Sequence, residues 1–234
     1  VGAAAAFFYF FGGSAPSEVD IDSAAAAVTT TAGTSTDETS VTTAAATTEG
    51  VDGTWTVDTS VGEFSVTDDT AATFAGFRVN EILDAIGETV AVGRTPNVAG
   101  SLEITDSTLD AAEITVDLTS IVSDRSRREG AIQRALNTTT NPEALFVLTE
   151  PIDLGTDAET GETVTATATG DLTINAVTKP VTIPIEAKLV DGRILVTGSL
   201  DLVFADYNVE TPSAPIVLSL ENEGVMEFQL WFVR

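Results

Sequence analysis

Thr163–Ile174 reads TVTATATGDLTI. Its even positions carry Val164, Ala166, Ala168, Leu172 and Ile174, and its odd positions Thr163, Thr165, Thr167, Thr169, Asp171 and Thr173. Successive side chains on a strand point to opposite faces. A period of two with one apolar and one polar row therefore marks a half-buried antiparallel strand. The same alternation runs through Val181, Ile183, Ile185, Ala187 and Leu189, then through Ile194, Val196, Leu200, Leu202 and Phe204. It closes the chain with Met226, Phe228, Leu230 and Phe232. Turn signals at Thr160-Gly161 and Asp191-Gly192 separate neighbours. Working back, strands are expected over Trp55–Val66, Phe74–Ile82, Thr89–Arg94, Asn97–Ile104, Ala111–Leu118 and Leu145–Pro151. One segment is not β: Ser123–Leu136, SDRSRREGAIQRAL, offers Ser123 or Asp124 as an N-cap ahead of good helix formers. The expected fold is all-β, an antiparallel up-and-down barrel of about eight strands with one helical insertion. A sandwich is the other architecture that fits the count.

The chain has 234 residues with 36 acids, 10 bases and a formal charge of −26. Nucleic acid and polybasic docking on anionic lipid both need clustered Lys and Arg, so neither partner is expected. With no His and no Cys, zinc, haem and iron–sulfur sites and His-activated nucleophiles are excluded. No catalytic residue and no metal site is expected. Nothing in the spacing selects a working carboxylate pair from the 36 acids. The acidity suits a salty exterior and equally a compositional bias of the genome.

Three regions follow from composition. Residues 1–16 open with VGAAAAFFYFF, eleven uncharged residues, then Gly12, Gly13 and Pro16. A spanning helix needs about 20 apolar residues. The stretch reads as the end of a membrane anchor or leader, against a cleaved leader or a short core helix. Residues 17–50 are Ala, Thr, Ser and acids and read as a solvated linker, within which Glu18–Val28 can form a helix or pair as a strand. Residues 51–234 are the folded domain.

Several short stretches lie in order across residues 51–234: Trp55-Thr-Val-Asp58 with Thr59-Ser60 and Phe64-Ser-Val66, Phe74-Ala-Gly76-Phe77, and Asp117–Arg128. They continue with Asn141-Pro142 ahead of Ala144-Leu145-Phe146, and Gly170–Ile174 followed by Val177-Thr-Lys-Pro180-Val181. Together they resemble the YceI-like family of lipocalin-like proteins. Phe204-Ala-Asp-Tyr207 with Thr211-Pro212 resembles its membrane-anchored actinobacterial branch. Relatives carry histidines flanking the first strands. Here those places fall on Thr59 and Asp68, which removes any role for an imidazole.

The resemblance implies an extended barrel around an apolar channel. The implied ligand is a polyisoprenoid lipid such as an isoprenoid quinone or its precursor, bound outside the cytoplasm without catalysis or cofactor. The inward apolar rows give the channel-lining candidates: Phe64, Val66, Phe74, Val116, Leu118, Phe146, Leu148, Ala168, Leu172, Ile174, Ile183, Ile185, Val196, Leu200, Phe228 and Leu230. Each of these either faces a ligand or simply fills the barrel. Arg125, Arg127, Arg128 and Arg134 put four of the ten bases within ten residues. Arg125 and Arg128 are candidate contacts at the channel mouth, and the other reading pairs them with the surrounding acids. Asp153, Asp157, Glu159 and Glu162 form an acidic loop without calcium-loop spacing and read as solvated, and Asp68-Asp69 reads as a turn. The competing function is a structural or interaction β-domain at the cell surface with no lipid ligand.

Overall fold

The computed structural model describes residues 15–31, 50–84, 87–211 and 217–234. The expected anchor and most of the linker lie outside the described residues. Among the described residues no helix is long and apolar enough to cross a membrane.

The strands are β1 (Gly53–Asp58), β2 (Phe74–Leu83), β3 (Gly87–Thr95), β4 (Val98–Thr105), β5 (Thr108–Asp117), β6 (Val122–Ser123), β7 (Glu143–Leu148), β8 (Ile152–Asp153), β9 (Val164–Ile174), β10 (Val177–Val190), β11 (Arg193–Val203), β12 (Val217–Leu220) and β13 (Glu223–Val233). Helix α1 spans Ile21–Thr31 and α2 spans Glu129–Ala135. Eight strands close a barrel in the order β1-β4-β5-β7-β9-β10-β11-β13, with β13 returning to β1. All pairings are antiparallel, as tight hairpins require. Two-residue turns at Asp106-Ser107, Asn175-Ala176 and Asp191-Gly192 take positive φ at both positions, the geometry whose twist matches paired strands.

One position in the wall is shared by two strands. Asp58 at the end of β1 faces Trp231, and Phe74 at the start of β2 faces Gln229. β2 thus resumes along β13 where β1 leaves it, and residues 59–73 form an excursion between them. The expected strand through Val66 is therefore wrong. The Asp58 carboxylate accepts hydrogen bonds from Ser60 N and Oγ, turning the chain out, and Gly62 follows at φ 65°. The excursion returns where Thr73 Oγ1 donates to Asp58 O. β2, β3, β6 and β12 then extend the wall beyond the barrel at one end.

One other expectation is corrected, and one is resolved between its two alternatives. The helical insertion is shorter than Ser123–Leu136, because Val122–Ser123 pairs with β3 and the Asp124 carboxylate is taken by Ser123 Oγ and Arg128 instead of capping a helix. At the start of the linker the helical alternative for Glu18–Val28 is the one formed, with one face of α1 covered while Glu18, Asp20, Asp22 and Ser23 stay exposed. Ile21, Ala24 and Ala25 of α1 pack on Leu195 and Trp231, which point outward from β11 and β13. The small alanine face lets the helix lie close to the wall.

The lumen stays open for a local reason. A Cβ on Gly198 would lie 2.5 Å from Phe228 Cζ, and one on Gly170 2.5 Å from Phe146 Cζ. Each ring lies across a glycine of the neighbouring strand, against the wall, so it does not reach across the barrel axis.

Candidate functional site

The inward rows enclose a cavity of about 1290 Å³, larger than the roughly 300–1,000 Å³ of a drug-sized ligand site. One end is lined by Val51, Ile104, Leu109, Leu154, Ala158 and Leu189, with Glu162 and Lys188. Its middle is walled by Ile114, Val116, Phe146, Leu148, Ala168, Leu172, Ile183, Ile185, Val196, Phe228 and Leu230. At the far end it reaches Leu118, Ile121, Ile132, Leu136, Ile174, Phe204 and Tyr207, and the inward row Val79, Glu81, Leu83 of β2.

Of the lining candidates, Val116, Leu118, Phe146, Leu148, Ala168, Leu172, Ile174, Ile183, Ile185, Val196, Phe228 and Leu230 border this cavity. Four do not. Phe64 and Val66 sit on the excursion between β1 and β2 and do not border the cavity, although the next residues, Thr67 and Asp68, do. Phe74 starts the outward row of β2, with the Arg94 guanidinium 4.2 Å from its ring centroid. Leu200 packs against the inner cluster without bordering the cavity.

Arg125 and Arg128 both border the mouth, together with Asp124, Ser126 and Arg127. Arg128 is an organising group there. Its Nη2 pairs with Glu81 Oε1, and its Nη1 lies 2.8 Å from Asp124 Oδ1. Arg125 Nε lies 3.8 Å from Asp124 Oδ2. Glu81 was not singled out from the sequence. Its signal was present in the alternation Ala75, Phe77, Val79, Glu81, Leu83, which puts a carboxylate in an otherwise apolar inward row. Burial pushes the Glu81 carboxyl above its ordinary value, and the nearby Arg128 and Arg125 pull the other way without cancelling it.

Among the described residues no group of acids is placed to hold a metal ion. In the acidic loop Asp153 accepts from Gly155 N, and Asp157 and Glu159 lie in an exposed turn. Thr59 is exposed, and Asp68 accepts from Ser65 and Thr67 within the excursion.

A family model for the YceI-like domain matches residues 55–232. The chain belongs to the YceI-like family. Protein YceI of Shigella flexneri is 30% identical over 132 residues, 50% of this chain and 64% of the relative. Protein YceI of Escherichia coli O157:H7 matches over the same length at the same identity. The chain thus spans less than two thirds of these relatives. A solved polyisoprenoid binding domain from Saccharophagus degradans, described as implicated in plant cell wall breakdown, has a TM-score of 0.58 at 18% identity, covering 76% of this chain and 97% of that one. BcnA of Burkholderia cenocepacia has a TM-score of 0.51 at 19% identity, covering 68% and 95%. At these identities the structures share a fold with this YceI-like domain, the all-β barrel expected from its strand periodicity.

Proposed function

We propose that this YceI-like domain binds a polyisoprenoid lipid in its channel and carries or sequesters it, without catalysis, outside the cytoplasm. The apolar stretch Val1–Phe11 would hold it to the membrane. The observation that carries the reading is the predominantly apolar lining of a cavity of about 1290 Å³ that runs from Leu109 to Leu136. The polyisoprenoid binding domain of the same fold supports it. A lipid tail burying roughly 500 Å² gains on the order of 12 kcal/mol against water, part of which association removes. Against a bilayer the gain nearly vanishes, so the domain would exchange lipid with membranes. Arg125 and Arg128 border the mouth, where the head group would lie.

The full chain is expressed in a host that makes isoprenoids and purified without added lipid. Native mass spectrometry should then show a bound isoprenoid, and the stripped protein should take one up from vesicles. Ala168→Phe, at a buried position bordering the cavity, should fold and lose most of the copurifying lipid. A parent that carries none and takes none up overturns the reading in favour of a structural domain.

A further inference from the structure

Glu81 is the inward member of β2 between Val79 and Leu83. Its side chain is 3% exposed. One carboxylate oxygen, Oε1, receives Arg128; no hydrogen bond within the described residues reaches Oε2. Arg128 in turn divides its two terminal nitrogens between Glu81 and Asp124, so its fork offers little to a newcomer. Arg125 Nε lies 3.8 Å from Asp124 Oδ2, so the two carboxylates of this cluster already face two guanidinium groups. The exposed Arg127 and the neighbouring Arg125 stand in the 125–128 segment at the mouth.

A carboxylate oxygen that borders the channel and receives no hydrogen bond keeps acceptor capacity for a ligand. It favours a head group that brings an O–H. It disfavours a phosphate, which would face like charge, and a carbonyl or ether, which has no proton to give. We propose that Glu81 is the head-group seat of the channel and selects isoprenoids that end in a hydroxyl donor, either the alcohol of a polyprenol or the phenol of a hydroquinone. This rests on the carrier reading above and names its ligand class.

The test uses the full chain stripped of copurified lipid. Four neutral probes separate donor from acceptor at near-constant shape: a long-chain polyprenol, its methyl ether, an isoprenoid hydroquinone and the matching quinone. Polyprenyl phosphate is the fifth. A hydrogen bond to a charged acceptor predicts that the alcohol binds about ten-fold or more tighter than its ether, and a hydroquinone likewise over its quinone. A preference within one pair alone identifies which source of the hydroxyl the seat accepts. Glu81→Gln leaves a neutral acceptor, roughly half as strong, so the alcohol-to-ether ratio should fall to about three-fold. The wild-type ratios decide the matter even if the variant does not fold. Equal binding of alcohol and ether, and of hydroquinone and quinone, overturns the seat and leaves the carrier reading standing. Tightest binding of the phosphate also overturns it, since the mouth arginines would then choose the ligand. Failure of every probe to bind overturns the carrier reading itself.

Discussion

Glu227 points outward from β13 with 1% of its side chain exposed, and holds Arg78 at 2.6 Å and Arg94 at 2.7 Å. Both guanidinium groups also donate to Ser17 O, which ties the segment ahead of α1 to the wall. A buried charge is tolerated only while its partners remain. Glu227→Gln should therefore cost about 3–5 kcal/mol in urea denaturation. Lys179→Met, which breaks a half-exposed pair with Asp206, should cost under about 1 kcal/mol. Equal losses would mean that the triad is no more important than a surface pair. Inside the barrel, Gly198 makes a different demand. Alanine there would meet Phe228 Cζ at 2.5 Å and Pro184 O at 3.0 Å. The ring is the part able to yield, and it yields toward the axis. Gly198→Ala should fold with a loss of roughly 1–3 kcal/mol and bind less lipid per protein, read by native mass spectrometry. Undiminished lipid in a folded variant would show that the ring does not set the free width.

At the scale of the element, β10 shows how sequence controls a seam. Its ladder with β9 is unbroken from Val177 to Ala187, but its ladder with β11 stops at Ile185↔Gly198. In the hairpin register the even residues of β10 point their N–H groups toward β11. Pro184 is the next even residue after Glu186, and it has no N–H to give; Pro180 repeats the defect. The turn Phe204–Tyr207 lies over this gap, held by Lys179–Asp206 and by Asn175 Nδ2 donating to Tyr207 O and Asn208 O. Amide hydrogen exchange should accordingly be much faster at Thr178 and Thr182 than at Val181 and Ile183, as followed by NMR. Equal protection would require a ladder that the prolines forbid. On the outer wall, Ala24→Asp would set a carboxylate against Leu195 and Trp231. It should release α1, cost roughly 1–3 kcal/mol and shift tryptophan emission to longer wavelength, with the β signal intact. These elements also mark what was legible in the sequence. β9 and β10 were readable because each is half-buried with one apolar row, the condition that a period of two reports, and β13 was readable from its inward row although Glu227, Gln229 and Trp231 on its outward row are buried too. The end of β1 was misread because Phe64-Ser-Val66 alternates on its own, although on the parity opposite to Trp55 and Val57. What ends the strand is a side-chain bond from Asp58, which periodicity does not see. The docking of α1 was not readable because its partner, Trp231, lies on the outward row of a strand far along the chain. Glu81 was readable in its row, yet a single acid among 36 carries no mark of burial until the fold places it.

The whole molecule must fold against its own charge. With 36 acids and 10 bases, most carboxylates have no cation to face, and bringing them together on a barrel surface opposes folding. The repulsion between exposed charges reaches about 30 Å in 0.01 M salt, about 8 Å at physiological strength and about 3 Å at 1 M. Adding salt at neutral pH should therefore raise the melting temperature. A second effect acts at low pH with the opposite sign. The Asp117 carboxyl is held below its usual 3.8 by hydrogen bonds from Thr119, and that of Asp20, at the start of α1, by hydrogen bonds from Ser23. For an acid lowered by folding, the stabilisation is present above the unfolded value and is lost as pH falls through the folded one. Glu81 runs the other way, since its raised carboxyl favours the folded state at low pH and that gain is lost as pH rises past 4.5. At low salt the melting temperature should rise as pH falls from 7 toward about 4.5, as carboxylates begin to protonate and repulsion fades. It should then drop below about 4, where the hydrogen-bonded aspartates lose their charge. One molar salt should flatten the first limb and leave the second, because screening removes long-range repulsion and leaves short hydrogen bonds. Asp117→Asn should shrink the acid limb without changing the response to salt at neutral pH. Calorimetry across pH at two salt concentrations reads all three. A melting temperature that falls with added salt at pH 7 would mean that attraction between paired charges, and not self-repulsion, dominates the surface of this barrel.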